Sequence, residues 1–331
     1  MTCGTATATA GTNVALVKYW GKRDSSLNLP ATGSLSLTLR ELGTRTTVRF
    51  GSVPIDTVTL NGAPADERTL ARVRALLDLV RARAGLHDPA EVTTSNSVPT
   101  AGGLASSASG FAALALAASR AAGLELGDTE LSALARRGSG SAARSVFGGF
   151  VEMHPGTRDD GADAVAEPLP AADGWNVRLV VAETAAGPKA IGSTQAMERT
   201  AATSPFYAGW LAAVEHDLAD ARAAVAARDL ARLGAVAERS CLRMHATTLG
   251  ADPPILFWNA ATVTAMQVVT DLRAVGISAW FTIDAGPHVK VLCAADDATV
   301  VDGALRAAPG VRRTLVASPG PGVRLSQESA T

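Results

Sequence analysis

Two glycine- and serine-rich loops, each running into a helix-forming stretch, constrain this chain more than any other feature. The first is Pro99-Thr100-Ala101-Gly102-Gly103-Leu104-Ala105-Ser106-Ser107-Ala108-Ser109-Gly110. The second is Arg137-Gly138-Ser139-Gly140-Ser141-Ala142-Ala143-Arg144-Ser145. The first N–H groups of a helix lack partners inside the helix and carry partial positive charge, so such an entry binds anions. Glycine lets a ligand approach the backbone, and serine adds hydroxyl donors. Two loops of this kind point to two phosphorylated groups held together, and so to phosphoryl transfer. The first loop lacks the Gly-Lys-Ser/Thr ending of a P-loop, so a different phosphate cradle is expected. Serine is a mediocre interior helix former, which marks Ser106 and Ser107 as ligands for phosphate or metal.

The bulk properties narrow the class. A chain of 331 residues has room for two domains sharing a cleft. Its 47% apolar and 18% charged residues are those of a globular enzyme, not a disordered chain. A formal net charge of −1 argues against a nucleic-acid surface, so any basic site must be local. Cys3, Cys241 and Cys293 have no metal-ligand spacing and are too few for a disulfide framework. No run approaches about 18 apolar residues, so no membrane span is expected. The Thr/Ala-rich start has neither a basic nor an apolar signal region, and a cytoplasmic location is expected.

Periodicity predicts an α+β fold. Residues 14–17, 34–39, 46–50, 58–60, 92–97, 149–154, 177–181, 277–283 and 289–293 read as strands. Residues 66–83, 106–122, 128–137, 205–227, 229–248 and 256–275 read as helices. Residues 1–10 read as a loose lead-in, and the polar stretch 155–163 as a loop. Mainly antiparallel strands with segregated helices favour α+β over a doubly wound sheet. The linker 183–189 suggests a division into domains 1–185 and 186–331.

Several side chains stand out chemically. Arg144 follows a Gly-Ser-Gly-Ser run, where a guanidinium can fork onto phosphate or stabilise moving charge. Arg136 and Arg137 lack that context and read as surface or ion-pair residues. Lys18-Tyr19-Trp20-Gly21-Lys22-Arg23-Asp24 puts cations and aromatics directly after a buried strand, as a pocket rim meeting an anionic substrate would. Asp284 occupies a sharp Asp-Ala-Gly-Pro turn between two apolar strands. Facing the phosphate loops, its carboxylate would either orient or deprotonate a substrate hydroxyl. His245 reads as a satisfied core histidine, and Glu198 and Arg199 as solvated.

The residues from Asn13 to Asp24, the two loops, Phe147-Gly148-Gly149-Phe150 and Asp284-Ala285-Gly286-Pro287 together resemble the diphosphomevalonate decarboxylases. Leu27-Asn28-Leu29-Pro30, residues 203–207 and Met244-His245-Ala246-Thr247 support the match. That family belongs to the GHMP kinase superfamily. The resemblance implies a two-domain fold with the active site in the inter-domain cleft, ATP with Mg²⁺, and a homodimer. The domains would be an ATP-binding GHMP kinase-like unit at 1–185 and a second GHMP kinase-like unit at 186–331. The partner would be a small phosphorylated 3-hydroxy acid, with no nucleic acid and no membrane. The implied reaction phosphorylates the tertiary 3-hydroxyl of mevalonate 5-diphosphate, then expels phosphate and CO₂ to give isopentenyl diphosphate.

By the same resemblance, Asp284 engages the 3-hydroxyl, Arg144 holds the substrate carboxylate and Lys18 lies beside the reacting centre. Tyr19, Trp20, Lys22, Ser139, Gly140, Ser141 and Ser193 are implied substrate contacts. Gly103, Leu104, Ala105, Ser106, Ser107 and Ser109 match the nucleotide phosphate loop, with Ser107 also a metal contact and Asn96 near the nucleotide. Two positions depart from the family pattern. His288 stands where the family has asparagine, and Thr194 where it has an arginine that helps bind the 5-diphosphate. One lost charge-assisted phosphate contact costs on the order of 1.5–3 kcal/mol, roughly tenfold or more in affinity. Two alternatives therefore stand beside the decarboxylase: one acting on mevalonate 5-phosphate, or a kinase that stops at the phosphorylated product.

Overall fold

The computed structural model describes residues 4–97, 106–187 and 190–326. Two sheets and eight α-helices account for most of them. The larger sheet runs β14 (Arg324–Leu325), β1 (Thr5–Val17), β4 (Ser34–Phe50), β7 (Ala90–Asn96), β5 (Thr57–Leu60) and β6 (Ala63–Pro64), and β8 (Phe150–Met153) joins β4 to β9 (Ala166–Pro168). All its pairings are antiparallel except β5 with β7. A short ribbon pairs β2 (Lys22–Asp24) with β3 (Leu29–Pro30).

The expected lead-in is instead part of β1. Its alternating threonines and alanines carry little apolar bulk, so periodicity of large residues misses it. Threonine nevertheless suits a pleated strand, and Thr7 meets its cross-strand partner Thr47 through hydroxyls 2.8 Å apart. Ala8 and Ala10 are buried in one cluster with α2 (Ser106–Ala121), whose alanines lie close to the sheet. The strands expected at 34–39 and 46–50 merge into the single 17-residue β4.

The second sheet runs β11 (Ala279–Ile283), β12 (Val289–Ala294), β10 (Val177–Glu183) and β13 (Arg313–Ala317), antiparallel throughout. β10 precedes the division expected at 185/186, yet both of its edges are hydrogen-bonded within this sheet. Its side chains alternate between two cores. Val180 and Ala182 pack with α7 (Ala260–Ala274) and α8 (Ala298–Ala307), whereas Leu179 and Val181 join the cluster containing Leu16, Val17 and Leu37 of the first sheet. The two halves thus share one continuous core.

The remaining helices are α1 (Glu67–Ala84), α3 (Asp128–Gly138), α4 (Ser193–Thr203), α5 (Tyr207–Ala227) and α6 (Leu230–Leu249). Asp66 caps α1 by accepting from the Thr69 N–H, and Gly85 ends it in the left-handed region. α5 and α6 pack together, and α6 also touches both β1 and β11. No helix among the described residues is long and apolar enough to cross a membrane. Arg136, expected at the surface, is buried because three backbone carbonyls, of Leu27, Gly161 and Ala164, satisfy its guanidinium.

Candidate active site

A cavity of about 510 Å³ opens where the two halves meet. Its lining includes Lys18, Tyr19, Trp20 and Lys22 from the segment after β1, and Ser139, Gly140, Ser141 and Arg144 from the second loop. Ser107 from α2, Ser193 from the start of α4 and Asp284 from the β11–β12 turn are the other sequence-predicted residues in its lining.

Asp284 lies between two lysines. Lys18 Nζ is 2.6 Å from its Oδ1, and Lys290 Nζ is 3.2 Å from its Oδ2. Burial alone would raise the carboxyl pKa; the Lys18 and then the Lys290 charge overcome it and hold the group well below the usual carboxylate range. Lys18 also donates to the Ala15 carbonyl at 2.9 Å, just where the β1–β4 register shifts between Ala15 and Val17.

One helix braces both sides of this pair. On α6, the Ser240 hydroxyl accepts from the Lys18 N–H at 3.0 Å. One residue on, Cys241 Sγ accepts from the Ile283 N–H at 3.1 Å, and His245 Nε2 lies 3.3 Å from the Ile283 carbonyl. Burial pushes the Cys241 thiol up to about 11 and the His245 imidazole down to about 3, so both stay neutral. The Asp284 turn is also tied from behind. Thr184 and Thr262 each donate to the Pro287 carbonyl at 2.7 Å, and His288 Nδ1 accepts from the Thr184 N–H at 3.2 Å.

Arg144 is buried with only neutral hydrogen-bond acceptors. Its nitrogens donate to Ser36 Oγ at 3.0 Å, Ser34 Oγ at 2.6 Å and Asn13 Oδ1 at 3.1 Å. Burial lowers its pKa to about 10, with Tyr19 and Asp284 opposing the shift. The guanidinium remains charged at neutral pH. Lys18, Lys290 and Arg144 thus face a single carboxylate in a partly dry site, an excess of positive charge matched to an anionic ligand. Among the described residues the buried Tyr19 hydroxyl has no hydrogen-bond partner, and its pKa is raised to about 12 by burial, so it stays a neutral donor. Gly140 is required beside it, because a Cβ there would overlap that hydroxyl.

The other expected contacts fall differently. Trp20 is buried edge-on against Phe257, and its carbonyl accepts from Trp210, so it anchors the segment between Tyr19 and Lys22. Ser109 turns its hydroxyl onto Thr12 and Thr44, at 3.2 and 2.7 Å, and does not line the cavity. Asn96 lines a separate recess of about 300 Å³ with Arg40, Arg45 and Arg324. Gly103, Leu104 and Ala105 lie outside the described residues, and Ser106 opens α2.

The Ser139 hydroxyl lies 3.5 Å from that of Ser107 and 3.3 Å from that of Ser141. Among the described residues no group of three or more His, Cys, Asp or Glu is placed to hold a metal ion. Hard hydroxyl donors without a carboxylate cage fit a magnesium ion held largely by nucleotide phosphates.

Comparisons with known proteins agree along the whole chain. Residues 10–166 match the family model of the diphosphomevalonate decarboxylase-like N-terminal domain, and residues 179–314 that of the mevalonate 5-diphosphate decarboxylase C-terminal domain. The chain belongs to the diphosphomevalonate decarboxylase family. The diphosphomevalonate decarboxylase of Aspergillus fumigatus is 39% identical over 325 residues, covering 92% of this chain and 80% of that protein. A solved structure of the mevalonate diphosphate decarboxylase from Enterococcus faecalis is 43% identical with a TM-score of 0.90, covering 97% of this chain and 98% of that one. Another, described as MDDEF in complex with MVAPP, AMPPCP and magnesium, is 43% identical with a TM-score of 0.91 at the same coverage.

Sequence reasoning passed over some of the decarboxylase cavity. Lys290, a lysine inside the apolar run Val289–Ala294, was visible as an anomaly in a buried strand. Arg68 and Arg72, four apart on α1, line the cavity itself, whereas Lys290 reaches it only through Asp284. The arginine pattern of that helix was legible, but not which neighbour it faced.

Proposed function

We propose that this chain catalyses the ATP-dependent decarboxylation of mevalonate 5-diphosphate to isopentenyl diphosphate, ADP, phosphate and CO₂. The observation that carries this reading is the buried cation excess around one carboxylate, in a cavity lined by both halves. The family membership and the relatives described with mevalonate diphosphate, AMPPCP and magnesium support it.

In this reading Asp284, kept ionised by Lys18 and Lys290, accepts a hydrogen bond from the substrate 3-hydroxyl and aims its oxygen. That oxygen forms a bond to the γ-phosphorus of ATP as the bond to ADP breaks; its proton, made acidic once the P–O bond has formed, passes through the Asp284 carboxylate to water. A tertiary hydroxyl is a poor leaving group, and its phosphate ester a good one. The C–O bond then breaks with departure of phosphate, and the C–C bond to the carboxylate breaks to release CO₂ and supply the alkene electrons. Arg144 pairs with the substrate carboxylate and orients it. Tyr19, Lys22, Ser139, Gly140, Ser141 and Ser193 hold the substrate phosphates, and Trp20 fixes the segment that carries Tyr19 and Lys22. The segment 103–107 holds the nucleotide, with Ser107 sharing the magnesium. That ion would neutralise the phosphate charge during transfer. Asn96 and Ser109 belong to the nucleotide side through the walls they support.

We draw the domain division within residues 169–176, between β9 and β10, on the pairing of β10. We also read the protein as a cytoplasmic homodimer, which light scattering on the purified protein and cell fractionation test.

The decisive experiment is a turnover screen of mevalonate, its 5-phosphate and its 5-diphosphate with ATP and Mg²⁺, following ADP and CO₂ together. The expected result is stoichiometric ADP and CO₂ from the 5-diphosphate. ADP without CO₂ would replace the decarboxylase with a kinase. Faster turnover of the 5-phosphate would replace the substrate.

A further inference from the structure

Away from the Asp284 cavity, three exposed arginines gather with nothing to neutralise them. Arg40 and Arg45 of β4 and Arg324 of β14 line the recess of about 300 Å³ that also holds Asn96. Among the described residues no Asp or Glu lines it, and the three guanidinium groups make no hydrogen bond or ion pair there. The recess shares no lining residue with the Asp284 cavity.

Sheet register and a bulge bring the three together. Thr9 of β1 pairs with Arg324 on one side and with Arg45 on the other, and Arg45 pairs with Ser95 of β7. Directly opposed residues share a sheet face, so this row presents guanidinium and hydroxyl groups alternately to one side. The Arg45 and Arg324 backbones stand two strand spacings apart, about 10 Å. Arg40 arrives differently. Between the pairs Gly11–Gly43 and Asn13–Thr38, β4 places residues 39–42 opposite Thr12 alone. Such a bulge re-aims side chains. It is held by the Arg40 N–H, which donates to the Ser318 carbonyl at 3.0 Å, and by Glu41, which accepts from the Ser318 N–H and hydroxyl at 2.7 Å each. Glu41 is thus turned away from the arginine beside it. Farther along β4, Arg49 is paired with Glu91 at 3.1 Å, so the sheet neutralises that arginine and leaves the recess positive.

We propose that this recess is a second anion site, taking a compact chain of two or more phosphate groups. Arginine forks onto phosphate oxygens, and the hydroxyls of Thr9, Ser95 and Ser97 add donors. Three positive charges exceed the roughly −1.5 to −2 of a single phosphate group, so a diphosphate or triphosphate matches them better. Among the described residues no aromatic side chain lines the recess, and Leu39 is its one large aliphatic residue. It therefore reads phosphate and not a base or a hydrocarbon tail. Free polyphosphate and the phosphates of ADP present that same chemistry.

The test titrates inorganic triphosphate calorimetrically into the wild type and into the double variant Arg45→Gln, Arg324→Gln. Arg49→Gln is the control from the same sheet. The double variant is expected to bind one triphosphate fewer than the wild type, because each lost guanidinium weakens the recess about tenfold or more. Arg45→Lys with Arg324→Lys is expected to keep the site at reduced affinity, and Arg49→Gln to keep it unchanged. Binding should weaken as KCl is raised. In the difference between wild type and double variant, inorganic diphosphate and ADP are expected to bind alike, and orthophosphate about tenfold more weakly. The KM for ATP and kcat should be the same in both proteins. An equal number of triphosphate sites in wild type and double variant would overturn the proposal, as would the same loss in Arg49→Gln. A raised KM for ATP in the double variant, or ADP binding far more tightly than diphosphate, would make the recess part of a nucleotide site and overturn it too. The count of sites is read by difference, so it holds whatever reaction the Asp284 cavity performs.

Discussion

Asp284 sits between two ammonium groups, and that decides how it works. A carboxylate held far below its usual pKa accepts a hydrogen bond well but takes up a proton poorly. In the proposed reaction it would therefore orient and polarise the 3-hydroxyl, and its ionised state should survive into acid. Lys290→Met removes one of the two charges while keeping the chain length. The Asp284 pKa should then rise, and the acid limb of the kcat–pH profile should move to higher pH. A purely structural defect would lower kcat equally at every pH. The sign for stability follows from the same shift. The folded pKa is below the ordinary value of about 4, so the contribution of the pairing is complete above about pH 4 and is lost as pH falls towards the folded value. A second residue test is Gly140→Ala, whose methyl must displace the Tyr19 hydroxyl. It is expected to cost about 1–3 kcal/mol in urea unfolding and to raise KM for the substrate. At this scale the sequence was most informative where chemistry and local pattern coincide. Arg144 was legible because a Gly-Ser-Gly-Ser run precedes it. Arg136 was misread because its three carbonyl partners come from segments far off in the chain.

The element that organises the site is α6. Within six residues it contributes Ser240 to the Lys18 backbone and Cys241 and His245 to the Ile283 backbone, so one rigid rod sets the spacing of the lysine and the aspartate. His245 also makes this rod sensitive to acid. It stays neutral in the fold to about pH 3, while an unfolded histidine charges near pH 6.5. Between those values the unfolded state binds more protons, so stability falls as pH is lowered, by up to about 1.4 kcal/mol per pH unit from this group. His245→Gln keeps a donor for the Ile283 carbonyl and removes the titration. Urea unfolding between about pH 4 and pH 6.5 should show a shallower decline in the variant; an unchanged slope would exclude His245 as the source. The helices α5, α6 and α7 were legible from their period. Of β1 only residues 14–17 were read, and α4 was not, because a Thr-Ala strand and a Ser-Thr-rich helix bury small side chains that carry little periodic signal; α8 was not read either. β10 was read as a strand, but not the sheet it joins: its β12 partners lie more than a hundred residues away, and local sequence does not contain them.

At the scale of the whole molecule, a chain of net charge −1 still gathers a local excess of cations around one cavity. Lys18, Lys22, Arg68, Arg72 and Arg144 come from the first half, and Lys290 from the second, across a shared core. The unliganded protein pays for this arrangement with repulsion between buried or crowded charges, and a polyanionic ligand removes it. Ligand binding should therefore appear as stability. At a free concentration of a hundred times Kd, mevalonate 5-diphosphate should add about 2.7 kcal/mol to unfolding and raise Tm by several degrees. The effect should shrink as KCl is raised, because part of the attraction comes from half-exposed lysine and arginine that salt screens. Arg144→Gln separates the buried contribution from the screened one. It keeps hydrogen-bonding capacity toward Ser34, Ser36 and Asn13 but removes the charge, so it should reduce the Tm rise at every salt concentration. A ligand-induced rise in Arg144→Gln equal to that of the wild type would mean that the anion binds elsewhere, and that the buried guanidinium serves the fold rather than the substrate.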